Sequence, residues 1–276
     1  MFILETFIIQ IFCYFFIYAF LGWCAEVMFH TMITGKWVNR GFLNGPVCPI
    51  YGFGMLLILL VLDPLKKNIV LLFVGSVILT SGLEFITGWV LKNLFHLTWW
   101  DYSNRPFNLG GYICLEFSIM WGIAGVIIVE IIHPIIQRFI DALPFTVAIF
   151  FVVLFSVILI LDFIATLATL IGFQRDVREL ERIGLGIRKL SDSLSHELSD
   201  VTKIADNKVE ETRAELQAKL ELLEKQNAFL KKHILEKRFL GSHRFFGSLP
   251  KLHLTKHESI LVQLKDEFNK LRNDNK

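Results

Sequence analysis

Charge is scarce in this chain. Asp, Glu, Lys and Arg make up 20% of its 276 residues, where a soluble domain carries about a quarter. The four cysteines, Cys13, Cys24, Cys48 and Cys114, lie in or beside apolar segments and form no CxxC pair, so neither a disulfide framework nor a zinc site is suggested. No GxxxxGK[ST] occurs, so this sequence cannot hydrolyse ATP by the P-loop route. No Lys or Arg precedes Lys36, and a cleaved signal peptide needs a basic start. Neither a Ser-His-Asp set, a metal-ligand spacing nor a glycosidase carboxylate pair stands out. The expectation is no enzyme, no catalytic residue, no metal and no cofactor.

Apolar residues are abundant instead, at 54% with 26 Phe, and they run in long blocks. Such blocks exclude a soluble globule, a disordered chain and a secreted scaffold. Five blocks are expected to span a membrane: about 7–30, 50–62, 69–91, 112–132 and 144–173. Four have roughly the 20 residues that a helix needs to cross a ~30 Å hydrocarbon layer. The second is short and follows Gly45-Pro46 and Pro49. It either starts earlier, near Gly45, or enters the membrane as irregular backbone, which survives there only when buried in protein or lining a wet cavity. His133-Pro134 is expected to end the fourth span. The first 172 residues carry 7 Lys+Arg against 9 Asp+Glu; the last 104 carry 21 against 17. Arg175, Arg178 and Arg182 follow the fifth span directly. Basic residues favour the cytoplasmic side, so the N-terminus is expected outside and the tail inside.

Two loops resemble one another. One is Asn39-Arg40-Gly41-Phe42-Leu43-Asn44-Gly45-Pro46-Val47-Cys48; the other is Asn104-Arg105-Pro106-Phe107-Asn108-Leu109-Gly110-Gly111-Tyr112-Ile113-Cys114. Both hold Asn-Arg-x-Phe, an Asn, and Gly-x-x-Cys. Two spans separate them, so both emerge on one face, as a parallel two-helix repeat would place them. Glu26, Glu84, Glu116 and Asp162 fall within spans, where a charge costs at least several kcal/mol. They must be protonated, paired, or set against water. Arg40 and Arg105 have planar forks suited to carboxylate or phosphate, while Asn39, Asn44, Asn104 and Asn108 add donors. Two readings stand: a polar site for a cation, proton or anionic group, or Arg–acid bridges tying the repeats together. Trp99, Trp100 and Tyr102 fit an interfacial aromatic belt. The candidate substrate-binding set is Glu26, Asn39, Arg40, Asn44, Glu84, Asp101, Tyr102, Arg105 and Asn108.

A longer series of residues carries a family resemblance. Gly22-Trp23 with Glu26, Asn39 to Pro46, Pro49-Ile50-Tyr51-Gly52, Glu84, Trp99-Trp100-Asp101-Tyr102-Ser103, Pro106-Phe107-Asn108-Leu109, Gly111, Cys114-Leu115, Trp121-Gly122 and His133-Pro134 follow in order. Over residues ~10–135 this series resembles the bacterial family of ABC-transporter type IV, or CmpB-like, permeases. The resemblance implies a multi-pass membrane protein and a separate ATPase subunit as partner.

The tail is different in kind. From 187 to 234 apolar residues recur at coiled-coil spacing, with 4,3,4,3,4 steps through Leu216, Leu220, Leu223, Asn227, Leu230 and Ile234. This predicts either a homodimeric coil or a hairpin that folds back. Residues 237–257 hold five Lys+Arg, three His and no acid, with Phe239, Phe245 and Phe246. They suit anionic lipid or packing on the coil; nucleic acid is not expected as a partner. A final amphipathic helix is expected over 258–272.

The expected architecture is therefore all-α: a multi-pass bundle over 1–173, a cytoplasmic coiled coil over 174–236, and a basic-aromatic segment with a last helix over 237–276. The expected function is a transporter permease in the cell membrane, contacting membrane lipid. A membrane-anchored coiled-coil scaffold or regulator is the alternative, with an integral-membrane lipid-acting enzyme third.

Overall fold

Lipid offers no hydrogen-bond partners, so an apolar run must satisfy its own backbone, and a helix does so. The computed structural model describes residues 2–35, 37–95, 97–200, 207–236 and 253–254. Its helices are α1 (Phe2–Thr34), α2 (Pro49–Leu62), α3 (Ile69–Phe95), α4 (Leu115–Ile127), α5 (His133–Asp141), α6 (Phe145–Asp200) and α7 (Asn207–Glu236). Two small antiparallel pairs accompany them. β1 (Leu97–Thr98) pairs with β4 (His253–Leu254), and β2 (Asn108–Leu109) pairs with β3 (Ile113–Cys114).

Four stretches are long and apolar enough to cross a membrane: Leu4–Thr34, Ile69–Phe95, Leu115–Asp141 and Phe145–Ser193. The second expected span is not among them. It is a 14-residue helix, about 21 Å at 1.5 Å per residue, extended by a 3₁₀ turn over Asp63–Leu65. Helix α2 begins at Pro49, where a missing N–H is harmless. The chain before it, from Trp37 to Cys48, is irregular. The earlier helix start near Gly45 is therefore not adopted.

The fourth span also differs from expectation. His133-Pro134 does not end it. A π-helical turn over Ile128–Ile132 widens the helix, and α5 then carries it on to Asp141. Pro134 follows directly on this wide turn, which accommodates its missing N–H within the continuous helix. The fifth span likewise runs past 173 without a break, since α6 continues to Asp200.

The chain divides into two compact units. The first is Met1–Thr166 together with the segment carrying β4; the second begins at Leu167. In the first unit α1 packs mainly on α2, α3 packs mainly on α4, and α2 against α3 joins the pairs. Glycines set these distances. A Cβ added at Gly22 would lie 2.2 Å from the Tyr51 ring, and one at Gly122 would lie 2.4 Å from Val77. Small residues at such crossings let membrane helices approach by backbone. Tyr18, Met55, Ile58, Leu62 and Leu72 form one core between α1, α2 and α3. Cys13, Ile140, Ala148 and Val152 form another, between α1, α5 and α6. The outward face of α6 exposes Phe150, Val153, Ile158, Leu161 and Ile164, as a lipid-facing helix must.

In the second unit, α7 half-buries Leu216, Leu220, Leu223, Asn227 and Leu230 and fully buries Ile234, while most positions between them are exposed. A Cβ at Gly186 of α6 would touch Leu223 at 3.4 Å. Gly186 lies 14 residues before the end of α6, and Leu223 lies 16 after the start of α7. The expected continuity of the coil through 201–206, the basic-aromatic segment and the final helix lie outside the described residues, apart from β4.

Candidate functional site

Both packed helix pairs share one local plan. In each, an outgoing helix carries an acid, an irregular loop follows, and the returning helix starts after a buried cysteine in extended conformation. Cys48 (φ −117°, ψ 93°) precedes α2, and Cys114 (φ −144°, ψ 155°) precedes α4. The acid of the first pair is Glu26 and that of the second is Glu84. Antiparallel packing puts both loops at the same end of the bundle. Glu26 lies eight residues before the end of α1 and Glu84 eleven before the end of α3, so both sit about 12–17 Å below that end.

The first acid is paired. Glu26 accepts a hydrogen bond from the Tyr51 hydroxyl of α2 and faces the Arg40 guanidinium at 3.8 Å, both side chains being mostly covered. The Tyr51 ring stands edge-on to Trp121 of α4 at 5.5 Å, which ties the two helix pairs together.

The second acid is not paired. Glu84 is 9% exposed. Its Oε1 accepts from the Tyr102 hydroxyl at 3.0 Å, while its buried Oε2 has no partner. Tyr102 reaches it from the second loop, with its ring stacked on Phe117 of α4 at 4.8 Å. Burial first, and then the neighbouring Glu84, push the Tyr102 phenol above the usual tyrosine range, so it stays a donor at any physiological pH. Glu26 and Glu84 are close enough to interact electrostatically, and Tyr51 senses both.

The other candidates mostly build the loops. Asn39 Oδ1 accepts from Trp23 Nε1 at 2.8 Å and from the Gly41 N–H at 2.9 Å, while its Nδ2 donates to the Asn44 carbonyl at 2.8 Å. Asp101 accepts from Ser103 N–H and Oγ. Asn108 donates to the carbonyls of Ser103 and Arg105 and accepts from the Gly111 N–H. Gly111 sits at φ +76°, and a Cβ there would be 2.7 Å from Asp101; only glycine closes this turn. Arg105 meets Glu116 at 3.2 Å, not Glu84, and both partners are more than half exposed. An ion pair in that setting is worth about 0–1 kcal/mol. Trp100 and Tyr102 turn inward, since Trp100 Nε1 donates to the Tyr112 carbonyl at 2.8 Å.

Asn44 belongs to a second polar centre. Asp162 of α6 accepts from the Asn44 N–H at 3.0 Å, from Asn44 Nδ2 at 2.8 Å and from the Gly45 N–H at 2.7 Å. Thr166, fully buried one turn on, accepts from Asn44 Nδ2 at 3.0 Å and donates to Asp162 at 3.3 Å. The carboxylate thus latches the first loop to α6. Asp162, Thr166 and Tyr51 are absent from the candidate set above. The signal for Asp162 was its depth in an apolar run; that for Tyr51 was its place in Pro49-Ile50-Tyr51-Gly52. A further acid within a span, Glu130, is exposed in the π turn. Among the described residues no cluster of His, Cys, Asp and Glu is arranged to hold a metal ion.

The chain belongs to the family described as "putative ABC-transporter type IV", whose model matches residues 13–167. The match takes in both helix pairs, both loops and the latch residues Asp162 and Thr166. No solved structure matches the chain.

Proposed function

We propose that this membrane protein is the permease subunit of a transporter, and that its solute or ion passes the cluster formed by Glu26, Tyr51, Arg40, Glu84 and Tyr102. The observation that carries the reading is the pair of acids at similar depth in the two helix pairs, each accepting from a tyrosine hydroxyl: Tyr51 on the returning helix for Glu26, and Tyr102 within the following loop for Glu84. Repeated helix pairs commonly build a translocation site at their interface, and intramembrane acids mark ion and substrate paths. Asn39, Asp101 and Asn108 hold the loops in shape, and Arg105 lies at the rim. Family membership supports a separate ATPase subunit as the energy source, because this sequence has no P-loop of its own.

The two acids should respond differently to neutralisation. Glu26→Gln removes the partner of Arg40, and an unpaired buried charge costs about 3–5 kcal/mol; partial exposure of this pair reduces that to about 1–3 kcal/mol. Glu84→Gln removes no ion pair and should leave the fold intact. Uptake or counterflow in proteoliposomes, using whatever solute copurifies with the wild-type protein, should fall at least tenfold in both variants. Unchanged transport in Glu84→Gln would dismiss the cluster as the path.

The tail is proposed to be cytoplasmic, because Arg175, Arg178 and Arg182 cluster just past the apolar part of α6. A cysteine at Ser191 in a cysteine-free background should stay unlabelled by a membrane-impermeant maleimide in intact cells and react after permeabilisation. Labelling of intact cells would reverse the assignment.

A further inference from the structure

Glu84 does not stand alone on its helix. Ser76, Thr80 and Glu84 recur every fourth residue along α3, so they share one face, with about 6 Å between neighbours. Ser76 is fully buried, and its hydroxyl has no partner. Thr80 donates to the Ser76 carbonyl at 2.7 Å. One turn across, Ser81 donates to Ser118 of α4 at 2.8 Å, both buried. A buried polar atom without a partner costs about 1–3 kcal/mol. Here two such atoms, Ser76 Oγ and Glu84 Oε2, occur on one face of one transmembrane helix.

The charge balance of the cluster points the same way. It holds two carboxyls, Glu26 and Glu84, and one guanidinium, Arg40, which is engaged by Glu26. Arg105 is engaged by Glu116. Among the described residues Glu84 forms no ion pair; the groups that face it are the Tyr102 hydroxyl from the second loop, whose ring stacks on Phe117 of α4, and, through space, Tyr51 of α2 and Glu26 of α1. A lone carboxylate in that setting is left one positive charge short.

We propose that Glu84 is a membrane-buried binding site for one positive charge, brought as a proton or as the ammonium group of a solute, and that Ser76 and Thr80 mark its approach along α3. The site rests on the permease reading for its purpose but not for its existence. Binding satisfies Oε2, and Tyr102 holds Oε1 in place. Release is coupled to the second loop, because Tyr102 leaves Glu84 when that loop moves. A proton needs no cavity; an ammonium would displace the second loop slightly and donate to Oε2 and the nearby hydroxyls.

The test is the apparent melting temperature of the purified full-length protein in detergent, wild type against Glu84→Gln, from about pH 5 to about pH 8. A glutamate freed on unfolding titrates near 4.3. Where the folded chain keeps a proton that the unfolded chain has lost, stability falls as pH rises. The wild-type protein should therefore lose several degrees of melting temperature relative to the Gln variant, which carries a permanently neutral group, between the lower and the upper end of that range, the histidines common to both cancelling in the difference. Methylammonium that restores the wild-type melting temperature at pH 8, and does nothing for the variant, assigns the charge to an ammonium; no restoration assigns it to a proton. Identical pH profiles in the two proteins would overturn the site. Should the Gln variant not purify folded, a hydrophobic carbodiimide, which adds to protonated carboxyls, decides on the wild type: labelling of Glu84 that falls as pH rises supports the site, and absent or pH-independent labelling overturns it. Because none of these readouts measures transport, a protein that passes them without moving any solute would keep the site and lose the permease.

Discussion

Replacing Asp162 with alanine is expected to lower the stability of the membrane unit by about 3–5 kcal/mol, or about 10 °C in melting temperature. Two main-chain N–H groups and one side-chain amide of the first loop converge on this carboxylate, at 2.7–3.0 Å. A hydrogen bond to a charged group is worth about 1.5–3 kcal/mol, and the donors left behind keep their desolvation cost. Asn39, which already holds the Asn44 carbonyl from the other side, would restrain the loop only in part. Asp162→Asn is the informative companion. It preserves volume but presents an amide NH₂ to one set of donors, so it should recover less than half of the loss. Melting of both variants in the same detergent checks this. A shift below about 1 kcal/mol for alanine would mean that the latch does not secure the loop.

The second large effect is steric. Gly22→Ala should cost about 3 kcal/mol or more, because the new methyl would sit 2.2 Å from Cγ and 2.4 Å from Cβ of Tyr51. Overpacking of this kind typically costs about 1–3 kcal/mol, sometimes more. Tyr51 cannot simply swing aside, since its Cβ is fixed to the backbone of α2; the helices must part. Parting α1 from α2 also pulls the Tyr51 hydroxyl from Glu26. Gly82→Ala on α3 is the control: a Cβ there meets nothing within 4 Å, and alanine favours a helix over glycine by about 1 kcal/mol. The first variant should therefore melt far below wild type and the second at or slightly above it. Equal melting of the two would contradict the close α1–α2 crossing.

Much of this arrangement could be read from residue order, for identifiable reasons. Apolar block length gave four helices, because spanning depends on length and little else. Glu26 and Glu84 stood out because a charge in an apolar run is costly and rarely idle. Their different partners did not stand out. Nothing in the sequence says that Arg40 reaches Glu26 while Arg105 turns to Glu116, since both Arg follow an Asn in similar loops. The second loop also has one extra residue and turns at Gly110 and Gly111, both at positive φ. Tyr51 was hidden because it sits 25 residues from Glu26, and Asp162 because its donors are 117 and 118 residues away. The break expected at His133-Pro134 assumed that a proline stops a helix, whereas the wide turn before it absorbs the disturbance.

That wide turn sets the phase of everything after it. A π turn holds one more residue than an α turn, and each residue of a helix advances the side chains by about 100°. The faces of 133–141 are therefore rotated by about that angle from where the pattern of 115–127 would have put them. One continuous rod addresses two different neighbours along its length. Its first half presents Ser118, Gly122 and Gly125 to α3, and its second half presents His133 to Tyr18 at 3.0 Å and Ile140 to the core beside Cys13.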